Sequence, residues 1–313
     1  MSYVRSDLAI EAHENSAKDS AINGINIDEQ KFDYGIKISD VKVKTLQAGK
    51  VIGKPMGRYI TLDASGADIS DIKAQKKVVD VLSTQIEELI KDYKDDGVLV
   101  VGLGNRSITP DALGPSVCEH VFISRHLKVY MPDLVDAKAC EVSAIAPGVL
   151  GITGLETFEV IKGIVDKIKP GVVIAIDSLS SRKLSRVSTT YQLTDSGISP
   201  GSGIGNKRKA INEKELGVPV VAIGVPMVVY AATIASDLIE QMLLKDNDYD
   251  DDQMQEAIKT YMEKIMDVDG GDMIVTPKEI DIIVERCANI IAAAINIVVS
   301  NGAEIDEIDK VLH

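Results

Sequence analysis

Three uninterrupted apolar runs constrain this chain more than any other feature. They are Val98 to Val101, Val172 to Ile176, and Val218 to Ile223, the last broken only by Pro219 near its start. A strand with one wet face alternates apolar and polar residues. A run without polar residues needs cover on both faces, as a parallel strand has between two helical layers. Helical signals fill the intervals. Ile69, Ile72, Val79, Leu82, Ile86, Leu89 and Tyr93 recur at three- and four-residue steps and stop at Asp95-Asp96-Gly97. Between the first two runs, helical patterns span 110–125 and 154–168, and Thr153-Gly154-Leu155-Glu156 has the form of a capping box for the second. Strand and helix in alternation predict an α/β fold with a parallel-rich twisted sheet flanked by helices.

The flanks read differently. Ile36 to Lys44 alternates as a half-buried strand does, and Tyr59 to Leu62 is expected to pair with it across a Gly/Pro turn at Gly53 to Gly57. Residues 1–30 carry no period and read as an extended or mobile arm. The C-terminal third is predicted helical. One apolar-striped helix spans 228–245, an acidic loop Asp246 to Asp252, and another helix 253–266. Thr276-Pro277-Lys278-Glu279 is a start signal with N-cap Thr, N1 Pro and N3 Glu. A length of 313 residues fits one large domain or two small ones. With no Trp and three Phe, the core must be built from Ile, Val, Leu and Ala.

Composition excludes several functions. A net charge of −14 leaves no basic face for a nucleic-acid backbone. Cys118, Cys140 and Cys287 lie far apart, unlike a disulfide framework or zinc site, and read as buried free thiols of a reducing cytoplasm. The N-terminus lacks the apolar core of a secretory leader. The most apolar stretch, Ile280 to Val299, carries Asp281, Glu285, Arg286, Asn289 and Asn296, so no membrane span is expected.

In open parallel sheets, ligands bind beyond the carboxyl ends of the strands. Two loops leave those ends, 101–115 (VGLGNRSITPDALGP) and 176–182 (IDSLSSR), and each delivers one acid, Asp111 and Asp177. Two carboxylates sharing a site cannot both ionise easily, so one can serve as acid while the other activates water. That pair would suit hydrolysis. Thr109-Pro110-Asp111 is equally good helix N-terminus chemistry, and Asp177 equally suits a strand-end turn. Other motifs carry less. Gly102-Leu103-Gly104 lacks the third glycine of a dinucleotide fingerprint, since Ser107 stands there. The stretch 201–208 (GSGIGNKR) lacks Walker spacing, and Asp195-Ser196-Gly197 reads as a turn. His120 and His126 are six apart and have no third ligand at sensible spacing.

Longer motifs settle more. The stretches 101–115 with Ser124-Arg125-His126-Leu127, 175–182 (AIDSLSSR) running into Thr189-Thr190, 194–208 (TDSGISPGSGIGNKR) and 4–12 (VRSDLAIEA) resemble the spore germination endopeptidases, the germination protease family. The resemblance runs from residue 4 to the C-terminal helices. It implies an atypical aspartic-type endopeptidase whose fold resembles the hydrogenase maturation proteases, with Asp111 and Asp177 as the catalytic aspartates. It implies small acid-soluble spore proteins as substrates, a location in the spore-core cytoplasm and a homotetramer. The maturation-protease relatives bind a metal in the equivalent region, but nothing in this sequence calls for one, so no metal or cofactor is expected, nor direct contact with nucleic acid or membrane. The resemblance also implies a zymogen that cuts itself between Asp7 and Leu8, leaving residues 1–7 as propeptide. A single peptidase domain would then span 8–313, with a small N-terminal sheet region at about 30–65. The pattern Asp7-Leu8-Ala9-Ile10-Glu11 has the acid, apolar, Ala, any, acid shape of the family's cleavage sites. Arg182, Lys183 and Arg186 are candidates to pair with the substrate's acid. Main-chain N–H groups around Gly102 to Asn105, Gly104 and Asn105 among them, are candidates to polarise the scissile carbonyl. Two alternatives stay open from sequence: a metal-dependent hydrolase of the maturation-protease type, and a non-catalytic nucleotide-binding α/β module.

Overall fold

A computed structural model describes residues 6–16, 22–68, 71–199, 209–245, 260–261 and 273–302. The first elements are α1 (Ala9–Ser16), β1 (Ile25–Lys31), β2 (Lys37–Val43), α2 (Leu46–Ile52), β3 (Gly57–Asp63) and α3 (Ile72–Ile90). Then come β4 (Val98–Gly102), α4 (Leu113–His120), α5 (Arg125–Tyr130), β5 (Val142–Ile145), α6 (Leu150–Thr153), α7 (Thr157–Ile168), β6 (Val172–Ser181) and β7 (Thr190–Thr194). The last are α8 (Glu213–Leu216), β8 (Val220–Tyr230), α9 (Ala231–Lys245), β9 (Ile274–Val275) and α10 (Ile280–Ser300).

All three apolar runs are strands, and they lie side by side. The sheet order is β1-β2-β3-β7-β8-β6-β4-β5, with β9 added to β8. The block β8-β6-β4-β5 is parallel. The strands β1, β2, β3 and β7 continue the same sheet in antiparallel fashion. Alternate residues feed two cores. Val98, Val100, Ile174, Ile176, Tyr191, Leu193, Ile223 and Val225 face α3, α4 and α10. Leu99, Val101, Val173, Ala175 and Val220 face Phe158, Ile161 and Val165 of α7. This explains why the runs lack polar residues. The helix α10 is long and apolar enough to cross a membrane, and here it forms the centre of one layer, with Cys287, Ile291, Ala294 and Ile295 fully buried.

Several local expectations need correction. The supposed arm forms α1 and β1, and Leu8, Ala9 and Ile10 are buried with Val41, Val43, Tyr59 and Leu179. Its burial comes from distant elements, so its sequence shows no period of its own. The segment 110–125 splits into a 3-10 turn at Thr109–Asp111, α4 and the start of α5. The helix at 154–168 starts later than its capping signal. Thr153 closes α6, and the amide of Glu156 donates to Glu159 Oε2 at 3.3 Å. Residues 228–230 belong to β8, because β6 pairs with Val228 and Val229 and β9 pairs with Val229 and Tyr230. Thr276 does not cap α10. Its hydroxyl donates to the Met227 carbonyl at 2.9 Å, and α10 starts at Ile280. The glycine-rich stretch 201–208, the acidic loop 246–252 and the helix expected over 253–266, apart from 260–261, lie outside the described residues.

Candidate active site

The first loop is built around Asp111. After β4 the amide of Leu103 donates to the Ile176 carbonyl at 2.8 Å, so the chain leaves the sheet alongside β6. Gly104 then turns it with φ of +109°, where a Cβ would lie 2.1 Å from the Asp111 carbonyl oxygen. Only glycine fits that turn. The Asn105 amide donates to both the Asp111 carboxylate (Oδ2, 2.8 Å) and the Asp111 carbonyl (3.0 Å). The N–H groups of Leu103 and Asn105 are therefore spent on the fold and on Asp111, and the part of Asn105 here is to orient that acid. Gly102 and Gly114 also meet closely, since a Cβ on Gly102 would lie 2.2 Å from the Gly114 carbonyl oxygen.

The second acid lies on β6. Asp177 follows Ile176, the partner of Gly102, and stands opposite Gly224 of β8. The Ser178 amide donates to Asp177 Oδ1 at 2.9 Å. The turn that carries Asp111 packs against β6 and β8, which brings the two half-buried acids to the same region just past the end of β4. Residues 176–181 are the second half of β6 and not the loop expected from sequence, because β8 pairs with them as far as Ser181. Gly224 also pairs with Gln192 of β7. Asp177, Gly224 and Gln192 thus form one row across the sheet. Paired residues present their side chains to the same face, so Asp177 and Gln192 share a face, two strand spacings or about 10 Å apart. Leu179, on that face of β6, lies over Gly224.

On this face the chain's own N-terminal segment is docked. The Asp7 amide donates to the Ser180 carbonyl at 3.0 Å, and Asp7 Oδ2 accepts from the Ser180 amide and hydroxyl, both at 2.8 Å. Lys54 Nζ (2.6 Å) and Gln192 Nε2 (3.2 Å) donate to the Asp7 carbonyl oxygen. The Ala9 amide donates to Gln192 Oε1 at 2.6 Å. Glu11, 1% exposed, accepts from the amides of Arg182 (2.7 Å) and Lys183 (3.1 Å), from Ser6 Oγ, and from Arg186 Nη1 (3.1 Å). Burial pulls the Lys54 ammonium below the usual lysine range, against the opposing charges of Asp7 and Glu11.

The three basic candidates divide their work. The Arg182 side chain pairs with Asp237 at 2.9 Å, and that of Lys183 with Glu14 at 2.8 Å. Arg186 joins both Glu11 and Glu14 (2.8 Å), and these partners raise its pKa further against the effect of burial. Sequence reading missed Lys54, Gln192 and Ser180. A polar Gln inside the buried strand Thr190–Thr194 was the available signal, and Lys54 offered none.

The weaker motifs have structural roles. Asp195 Oδ1 accepts from the Arg58 amide at 2.7 Å, Ser196 Oγ donates to the Tyr59 hydroxyl at 2.9 Å, and Gly197 has φ of +77°, as in a turn. His120 pairs with Glu285 at 2.8 Å. Among the described residues no group of three or more His, Cys, Asp and Glu could hold a metal ion. The three cysteines are free.

The family model for germination protease matches residues 4–259, which include both aspartates and the docked segment. A germination protease of Caldanaerobacter subterraneus subsp. tengcongensis is 44% identical over 320 residues, covering 99% of this chain and 98% of that one. One of Clostridium perfringens is 42% identical over 326 residues, covering 99% of each. One of Halalkalibacterium halodurans is 37% identical over 363 residues, covering 99% of this chain and 97% of that one. A solved NiFe hydrogenase maturation protease of Thermococcus kodakarensis is 16% identical, with a TM-score of 0.35, and covers 67% of this chain and 97% of that one.

Proposed function

The chain belongs to the germination protease family and is a peptidase, and on that premise we propose that it is an atypical aspartic-type endopeptidase in which water is activated between Asp111 and Asp177. The observation that carries this reading is the packing of the Asp111 turn against the strand that holds Asp177. One carboxylate takes the proton of the attacking water, and the other, held protonated, gives a proton to the departing amine. Asn105 and Ser178 orient the two groups. The substrates in this reading are small acid-soluble spore proteins, the location is the cytoplasm of the spore core, and the working form is a homotetramer. An exposed apolar run at Val129, Tyr130, Met131 and Leu134 supports an assembly.

The same reading makes the chain a zymogen cut between Asp7 and Leu8. The docked segment supports it, because each acid of the motif has its own cradle. Asp7 is held by Ser180, and Glu11 by Arg186 with the Arg182 and Lys183 amides. A substrate with the same pattern would use the same groups, with Arg186 as the side chain that reads the second acid.

Intact-mass analysis over time tests the proposal. The purified chain loses Met1 to Asp7, while Asp111→Asn and Asp177→Asn stay uncut and folded. Retained cleavage in either variant refutes the mechanism.

A further inference from the structure

We propose that Lys54 and Gln192 are the pair that holds the carbonyl oxygen of the bond to be cut, first in the chain's own Asp7–Leu8 bond and then in the matching bond of a substrate. This rests on the reading that the Asp7–Leu8 bond is the one cleaved.

Two donors from separate parts of the fold converge on one carbonyl oxygen. Lys54 comes from the loop after α2 and reaches Asp7 O at 2.6 Å, while Gln192 comes from β7 and reaches it at 3.2 Å. The Gln192 amide spans the bond, because its oxygen accepts from the Ala9 amide at 2.6 Å. Its nitrogen is thereby turned toward residue 7 and its oxygen toward residue 9. The residues on either side are also fixed. Asp7 is held to β6 by Ser180, and Leu8 is fully buried beside Tyr59 and Leu179. The row Asp177–Gly224–Gln192 puts this amide on the face of the sheet that carries Asp177.

A donor pair in this position matches the charge that develops during hydrolysis. Water oxygen adds to the Asp7 carbonyl carbon, and the water proton passes to one aspartate. The carbonyl electron pair moves onto the carbonyl oxygen, where the Lys54 ammonium and the Gln192 N–H stabilise it. Collapse restores the carbonyl and breaks the C–N bond, and Leu8 nitrogen takes a proton from the other aspartate. The products are the Asp7 carboxylic acid and the Leu8 amine. Donors aimed at such an oxygen in a shielded site each contribute on the order of 100-fold in rate.

Gln192→Glu is the sharpest test, since the change is isosteric. It keeps the acceptor for the Ala9 amide and replaces the donor to Asp7 O with a second acceptor. Self-processing of the full chain is followed by intact mass, and docking of Ala9–Ser16 by amide hydrogen exchange. The expected result is processing slowed about 100-fold with wild-type protection of Ala9–Ser16. Lys54→Met should behave alike, and Lys54→Arg should recover most of the rate. Wild-type processing in Gln192→Glu, in a chain that cuts between Asp7 and Leu8, overturns the pair and leaves the protease reading intact. So does protection that falls in step with the rate, which would make both residues docking contacts only. A wild-type chain that cuts elsewhere overturns the reading itself, and the assignment with it. If Lys54→Met fails to fold by circular dichroism, Gln192→Glu decides alone.

Discussion

Single residues fix the geometry of the two acids, and one of them is a glycine. At Gly104 a methyl group would have to share space with the Asp111 carbonyl, in a backbone that L side chains avoid. Gly104→Ala should therefore shift Asp111 and lower kcat about 100-fold, the cost typical of a misplacement near 1 Å. Gly154→Ala is the control. Its φ is +72° but nothing lies within 4 Å, so it should lose a little stability and no activity. Peptidase assays on the two variants, with melting curves, separate these outcomes. Arg186 gives a second test. Arg186→Ala leaves the Glu11 carboxylate buried without its cation, a change that costs about 3 kcal/mol where a buried ion pair loses one partner. Hydrogen exchange over Ala9–Ser16 and urea denaturation check it. The placement of Asp111 beyond β4 and of Asp177 at the end of the apolar part of β6 was legible, because a continuous apolar run precedes each. Lys54 and Gln192 were not, because each meets Asp7 across a separation of 47 or 185 residues that no local pattern encodes.

Among the elements, α1 shows what tertiary contact adds to a short helix. Eight residues are too few for a stable isolated helix. Its position comes from Leu8 to Ile10 beneath it and from the Arg186 and Lys183 side chains that hold Glu14. Burial pushes the Glu14 pKa up, but the hydrogen bonds and charges of Arg186 and Lys183 outweigh it, so the folded value lies below the ordinary 4.5. A carboxylate lowered in this way contributes stability above the ordinary value and loses it as the pH falls through the folded one. Docking of α1 should thus weaken progressively below pH 4.5. Glu14→Gln, which carries no charge, should lose this pH dependence. Amide exchange of Ala9–Ser16 across an acid series measures both. The long amphipathic α3 and the apolar strands were legible because one periodic face or one continuous run decides them. The short strands β5 and β7 were missed. Val142–Ile145 includes a serine, and Thr190–Thr194 has three polar residues of five, all buried, with Gln192 lying against the docked segment at Asp7 and Ala9.

The molecule as a whole is tied together by one sheet, and this gives its cysteines a common fate. The N-terminal strands could have formed a separate unit by sequence alone, but β3 pairs with β7 and β7 with β8, which joins them to the parallel block. Over the face covered by α3, α4 and α10 lies a single core that includes Cys140 and Cys287, with Cys118 packed against it. Burial pushes the thiols of Cys118 and Cys287 each up to about 11 and raises that of Cys140 as well. A thiol with such a pKa is ionised to roughly one part in a thousand at pH 8, and the thiolate is the reactive form. The folded chain should therefore react very slowly with a disulfide reagent at that pH. Because the three thiols share one core, guanidinium should expose them together, at the midpoint seen by circular dichroism, as in a two-state transition. Cys118 carries the sharper information. It lies on α4, the helix that follows the Asp111 turn, and its side chain packs at Gly102. Early labelling of Cys118 alone would mean that α4 opens on its own and takes the Asp111 loop with it. Simultaneous labelling of all three would mean that the loop holding Asp111 is as stable as the core beneath it, and that its acid is held in place by the global fold.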